Sequence, residues 1–155
     1  MNNNRLVIAA AGSGKTTLLV KTAIENPNKS ILITTYTESN EQEIRDKFVK
    51  EVRTVPPNVT IITWFSFLLK HWVRPYQCKL NDSIANESIG FILVNTRSGL
   101  KYKNKDGKGV YWSEKDNFKN YYFTKDFKVY SDKISKFCFE ANKASKQASK
   151  QASSS

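Results

Sequence analysis

Histidine is nearly absent from this 155-residue chain, with His71 alone, and cysteine is scarce, with only Cys78 and Cys138, far apart. One imidazole and two distant thiols give no zinc-ligand spacing and no disulfide framework. Two unbridged thiols suit a reducing, cytoplasmic setting. Long apolar runs are missing as well. The stretch Leu6 to Ala11 spans six residues before the glycines, too short for a membrane span or the apolar part of a signal peptide. Acidic residues are few: 14 Asp and Glu face 25 Lys and Arg, a formal net charge of +11. Such an excess favours a polyanionic partner, a nucleic acid or an acidic membrane face. What is plentiful is ring carbon. With 3 Trp, 7 Tyr and 9 Phe, and 39% hydrophobic residues overall, the chain holds enough apolar material for a core. Its length suits one domain, or one domain and part of another.

Charge and aromaticity divide the chain near residue 100, since residues 101–155 carry 11 of the rings and 13 of the basic side chains. Before that point strand and helix patterns alternate. Arg5 to Ala10 is β-branched and apolar and runs into Gly12-Ser13-Gly14, which reads as a strand feeding a glycine loop. A helix over Thr16 to Glu25 follows, with an apolar side of Leu18, Leu19, Thr22 and Ala23, stopped by Asn26-Pro27-Asn28. Ser30 to Thr35 is a second strand. Ser39 with Gln42 forms a capping box for a helix in which Ile44, Phe48 and Val52 recur. Val59 to Thr63 is a third strand, and Ser66 to Val73 a helix that Arg74-Pro75 should end. Three strand and helix pairs in series predict an α/β fold, a parallel sheet with flanking helices. Beyond Pro75, Glu87 to Val94 reads as helix or strand, and Lys105 to Gly109 as a hairpin tip between Lys101–Lys103 and Val110–Trp112. Ser131 to Glu140 reads as a short helix with Ile134, Phe137 and Cys138 on one side. Residues 141–155, built of Ala, Ser, Lys, Gln and Asn, read as a disordered low-complexity tail.

The most informative stretch is Ala9-Ala10-Ala11-Gly12-Ser13-Gly14-Lys15-Thr16, followed by Thr17. Glycines let consecutive backbone N–H groups converge on one point, and the helix opening near Lys15 adds the positive end of its dipole. An oligophosphate fits there. Lys15 reaches the phosphates as a point charge and is the candidate catalytic residue, while the Thr16 hydroxyl is the candidate ligand of Mg²⁺. The generic phosphate-loop signature has Gly where this chain has Ala9.

With Ala in that first position the segment resembles the Walker A loop of UvrD/Rep-like superfamily 1 DNA helicases. Thr35-Tyr36-Thr37-Glu38-Ser39-Asn40, leading into Glu43-Ile44-Arg45-Asp46-Lys47, resembles that family's motif Ia, and Thr63-Trp64-Phe65-Ser66-Phe67 is similar to its motif Ib. Phe65 stands where the family often has His, and Glu38-Ser39 where Asn-Lys is common. The resemblance covers roughly residues 5–75 and implies a RecA-like P-loop NTPase fold over residues 1–76. It further implies ATP and Mg²⁺ as cofactors, single-stranded DNA as partner, and a second RecA-like domain, in cis or in trans, closing the ATP site. It places Tyr36, Thr37, Thr63, Trp64 and Ser66 near DNA. Stacking of rings on bases and hydroxyl bonds to phosphates suit such contacts, although Tyr36 and Trp64 are equally readable as half-buried packing aromatics.

Hydrolysis needs carboxylates for the metal and the water, normally from an apolar strand ending in Asp-Glu, and no Asp-Glu pair occurs in the chain. Asp126, after Tyr121-Tyr122-Phe123, is the nearest candidate, with Thr124 and Lys125 intervening. By resemblance the chain is the amino-terminal piece of such a helicase, short of Walker B and inactive alone, with residues 77–140 as inserted 1B-like material. Lys101, Lys103, Lys105 and Lys108, with Tyr102, Tyr111 and Trp112, read either as a nucleic-acid surface or as solvated lysines over an aromatic core. Two further classes compete: a non-catalytic basic nucleic-acid-binding module, and a small P-loop kinase, for which neither an acceptor pocket nor a lid is legible.

Overall fold

The computed structural model describes residues 6–8 and 10–152, with side chains described up to 146 except at 145. The chain is mixed α/β and forms two compact units, Met1–Thr63 and Trp64–Ser155. The boundary between the units falls at Thr63 and Trp64, where a strand hands over directly to a helix.

In the first unit, α1 (Lys15–Ile24), β1 (Ile31–Thr35), α2 (Glu38–Val52) and β2 (Val59–Thr63) follow in order. The strands pair in parallel, Ile31 opposite Val59 through Thr35 opposite Thr63. Alternation sends Ile33 from β1 and Val59 and Ile61 from β2 to one face, where Val20 and Ala23 of α1 and Ile44 and Phe48 of α2 complete the core. Arg45 ties helix to sheet: its guanidinium donates to Glu41 Oε1 at 2.7 Å and to Ile61 O at 2.8 Å. Asn58 Nδ2, donating to Lys29 O at 2.8 Å, joins the turns that lead into the two strands.

Three expectations change here. Leu6 to Ile8 lie outside any sheet and are exposed, while Arg5 and Ala9 fall outside the described residues. β-branched sequence makes a strand only where a neighbouring strand receives it. The buried side of α1 is Val20 and Ala23, whereas Leu18 and Leu19 are exposed. The cap of α2 is Thr37, whose side chain accepts from Asn40 N at 3.2 Å, two residues before the expected Ser39.

The second unit opens directly at Trp64. α3 (Trp64–Leu68), a π-helical turn (Leu69–Val73) and α4 (Arg74–Leu80) succeed one another without interruption, so Pro75 does not end the helix. In the wide turn Arg74 N–H donates to Leu69 O, five residues back, and this loosening of the carbonyl ladder makes room for the pyrrolidine ring at the first turn of α4. A 3₁₀ turn (Asp82–Ile84) follows. The ambiguous segment 87–94 contains a strand, β3 (Gly90–Ile92), parallel to β6 (Lys128–Tyr130). The hairpin is present as β4 (Leu100–Lys103) and β5 (Gly109–Tyr111). Phe118–Tyr122 is helix α5. The last helix, α6, runs over Ile134–Ala152. Residues 141–152 therefore continue a helix where the sequence reading expected disorder; Ala, Lys and Gln are good helix formers, and Ala141 is buried. The core joins Leu68, Val73, Ile84, Tyr122, Phe123 and Phe137 with their neighbours. Buried polar groups are answered. Gln77 Nε2 donates to Ile84 O at 2.7 Å and Ala85 O at 2.9 Å, and Arg74 Nη2 to Ile89 O at 3.0 Å.

Candidate functional site

The loop before α1 is built on two left-handed glycines, Gly12 (φ 75°) and Gly14 (φ 82°). A side chain at either would meet no atom within 4 Å, so glycine is required there by backbone conformation rather than by space. The loop closes on a single carbonyl. Ala10 O accepts from Ser13 N at 3.3 Å, from Ser13 Oγ at 2.7 Å and from Lys15 Nζ. Lys15 is thereby folded back over its own loop, with its ammonium held by a neutral acceptor that a phosphate oxygen outcompetes in strength.

The two helix starts in this unit differ. α2 has a capping threonine and two acidic residues, Glu38 and Glu41, in its first turn. α1 follows Gly14, has no side-chain cap and carries no acidic residue in its first turn. The positive end of its dipole is left for something other than its own side chains. Thr16 and Thr17 stand half-buried in that turn. A cavity of about 710 Å³ opens beside the loop, lined by Val7, Lys15, Leu18, Leu19, Leu32 and Thr34 among others. It runs along the edge of β1 that does not face β2.

A triphosphate fits this chemistry: backbone donors, a helix terminus, and one ammonium on an exposed loop. Magnesium fits in the limited sense that Thr16 offers one hydroxyl oxygen, and Mg²⁺ held on phosphates takes few protein ligands. Among the described residues no group of three or more His, Cys, Asp or Glu is placed to hold a metal. Asp126 is exposed in the second unit, paired with Lys128 Nζ at 2.8 Å and accepting from Thr124 Oγ1 at 2.6 Å. Its bond to Lys128, then that to Thr124, pull its carboxyl down to about 2.

The residues of the second and third motifs fall at strand ends. Tyr36, directly after β1, is 64% exposed, and Thr37 is committed to capping α2. Thr63, opposite Thr35 in the register, is only 4% exposed. Trp64 begins the second unit, 43% exposed and stacked on Phe67 at 5.7 Å between ring centroids, with Ser66 half-buried. Tyr36 and Trp64 thus both reach the surface. Ala9 lies outside the described residues, and Ala11 is exposed within the loop. The sequence reading missed the Ala10 carbonyl as the point on which the loop closes, because a backbone acceptor leaves no mark in residue identity. Among the described residues no helix is long and apolar enough to cross a membrane.

A protein-family model described as UvrD/REP helicase N-terminal domain matches residues 1–153. No curated protein and no solved structure matches the chain.

Proposed function

The chain belongs to the UvrD/REP helicase family, as its N-terminal domain, and from that premise we propose that it is the ATP-binding portion of an ATP-dependent DNA helicase or translocase with a RecA-like P-loop fold. The observation that carries this reading is the bare start of α1: a left-handed glycine turn, no cap, no acid, and Lys15 folded onto Ala10 O. Ala10 to Thr17, together with Ala9, cradle the triphosphate. Lys15 transfers its hydrogen bond from the Ala10 carbonyl to phosphate oxygens and balances charge on the transferring group. The Thr16 hydroxyl is a ligand of the Mg²⁺ ion, which when bound neutralises phosphate charge. Tyr36, Trp64 and Ser66 contact single-stranded DNA; Thr37 and Thr63, one a cap and the other buried, position the turns that present those groups. A cytoplasmic setting accords with a DNA partner and two unbridged thiols.

The chain alone is incompetent for hydrolysis in this reading, since it has no Asp-Glu pair to hold the metal and activate water. A second RecA-like domain, in cis or in trans, closes the site. Calorimetry of MgATP binding to the purified chain tests the proposal. Saturable uptake that weakens at least tenfold in Lys15→Ala supports it; no uptake of any nucleoside triphosphate at millimolar concentration overturns it. Steady hydrolysis by the chain alone at roughly 1 per second or faster, a rate within the range of ordinary enzymes, overturns the claim of incompleteness.

A further inference from the structure

The ribbon β4–β5 in the second unit is a two-stranded sheet with no third strand among the described residues. All four residues of β4 are exposed, Tyr102 by 53%. Such a ribbon has little of its own to stabilise it. Its tip is nevertheless held tightly: Asn104 Oδ1 accepts from Asp106 N at 3.1 Å and Lys108 N at 2.8 Å, Asn104 N donates to Lys108 O at 2.9 Å, and Gly107 takes φ 76°.

Charge on this ribbon is mostly positive. Lys101, Lys103, Lys105 and Lys108 surround a single carboxylate, Asp106. Elsewhere in the unit three lysines are paired with acids, Lys128 with Asp126, Lys136 with Glu114 and Lys143 with Glu140. Among the described residues no ion pair involves the four ribbon lysines. Two cations near its base lie over rings instead, Arg97 4.4 Å from the Tyr111 centroid and Lys101 4.4 Å from that of Trp112. The register shifts between Leu100, opposite Tyr111, and Tyr102, opposite Val110, so Lys101 is the extra residue of a bulge. A bulge of this kind re-aims the side chains that follow it, and here it moves Tyr102 to the face opposite Leu100.

Lysines alone would be read as protection of an open sheet edge. An exposed tyrosine among them is what a protective edge would omit. Rings that stack on unpaired bases, interleaved with ammonium groups that meet phosphates, are the chemistry of a single-stranded nucleic acid surface. We propose that the β4–β5 ribbon is a nucleic-acid contact of this chain, binding a single strand through Tyr102 and the lysines at 101, 103, 105 and 108, independently of nucleotide. This contact uses none of the phosphate-loop residues, nor Tyr36 or Trp64, and does not require that reading.

Fluorescence anisotropy with a labelled oligothymidine of about twelve nucleotides tests it, using the full chain without nucleotide. For the triple variant Lys103→Ala, Lys105→Ala, Lys108→Ala, the slope of log K against log salt should fall by about 2, given roughly 0.7 per phosphate contact on single strands. Tyr102→Ala should weaken binding about fivefold or more, and a blunt duplex of the same length should bind less tightly than the single strand. Adding MgATP should leave the change in slope intact, which separates this contact from the nucleotide site. A triple variant that keeps the wild-type slope overturns the proposal, as does equal affinity for duplex and single strand with no effect of Tyr102→Ala. If the triple variant melts early, Lys105→Glu in the exposed tip provides the same reading, with weaker binding expected and unchanged binding overturning it.

Discussion

Lys133 Nζ sits 4.1 Å from the centroid of the Tyr121 ring and, at 2.9 Å, donates to the carbonyl oxygen of the same residue. A second bond, 3.0 Å to Ser98 O, makes this lysine the link between the loop before β4 and helix α5. Only 6% of the residue is exposed. Burial lowers its pKa, and Asp132 offsets part of that.

Lys133→Met keeps the stem and removes the ammonium, leaving two carbonyls without their donor. It should destabilise the chain by about 2 kcal/mol, the usual order for buried acceptors left unsatisfied. Urea unfolding of the two proteins measures the difference. An unchanged midpoint would show that water replaces the ammonium at no cost.

The start of α2 separates a capping residue from its neighbour. Thr37→Ala should cost about 1 kcal/mol, the typical value of an N-cap. Ser39, exposed inside the first turn, should be silent to within about 0.5 kcal/mol on replacement by Ala. Thermal melts monitored by circular dichroism order the two, and the reverse order would restore Ser39 as the cap.

Glu114 accepts from the Tyr122 hydroxyl at 2.8 Å and pairs with Lys136 at 2.6 Å. Burial alone would raise its pKa; the bonds from Lys136 and Tyr122 outweigh that and hold the carboxyl below its ordinary 4.5. A carboxylate depressed on folding stabilises fully above the unfolded pKa, and the contribution disappears as pH falls through the folded one. Glu114→Gln should therefore lower stability at pH 7 and make little difference once pH is well below 4.5. Denaturation at the two pH values tests this, and a penalty of equal size at both would contradict it.

At the phosphate loop, Thr16→Ala should make nucleotide binding indifferent to magnesium. Wild-type affinity for ATP should fall when the metal is chelated, and the variant should show nearly the same dissociation constant with and without it. Calorimetry in magnesium and in chelator gives the ratio. A variant that responds to magnesium as the wild type does would remove Thr16 from the metal site.

Much of this was legible in residue order. Gly12-Ser13-Gly14-Lys15-Thr16 announces its loop because only glycine adopts left-handed backbone without strain, and the helix after it follows from local propensity. β1, β2 and the hairpin β4–β5 were legible for the same reason, being short-range patterns between turn residues. Pro75 misled, because its effect on a helix depends on the turn before it, and the π-helical widening at Leu69–Val73 has no signature in composition. Leu6 to Ile8 misled in the opposite sense, since strand sequence needs a partner in space.

Residue order by itself marked the glycine loop before α1 and the stretches that turn or pair, and it carried the resemblance to UvrD/Rep-like helicases that the family model bears out. Tertiary contact decided which side of α1 is buried, that Lys15 closes on the Ala10 carbonyl, that Thr63 is inside while Tyr36 and Trp64 are outside, and that one bulge turns Tyr102 among unpaired lysines. Backbone preference acts over a few residues and is written in them; burial and pairing depend on partners tens of residues away, which no local pattern can name.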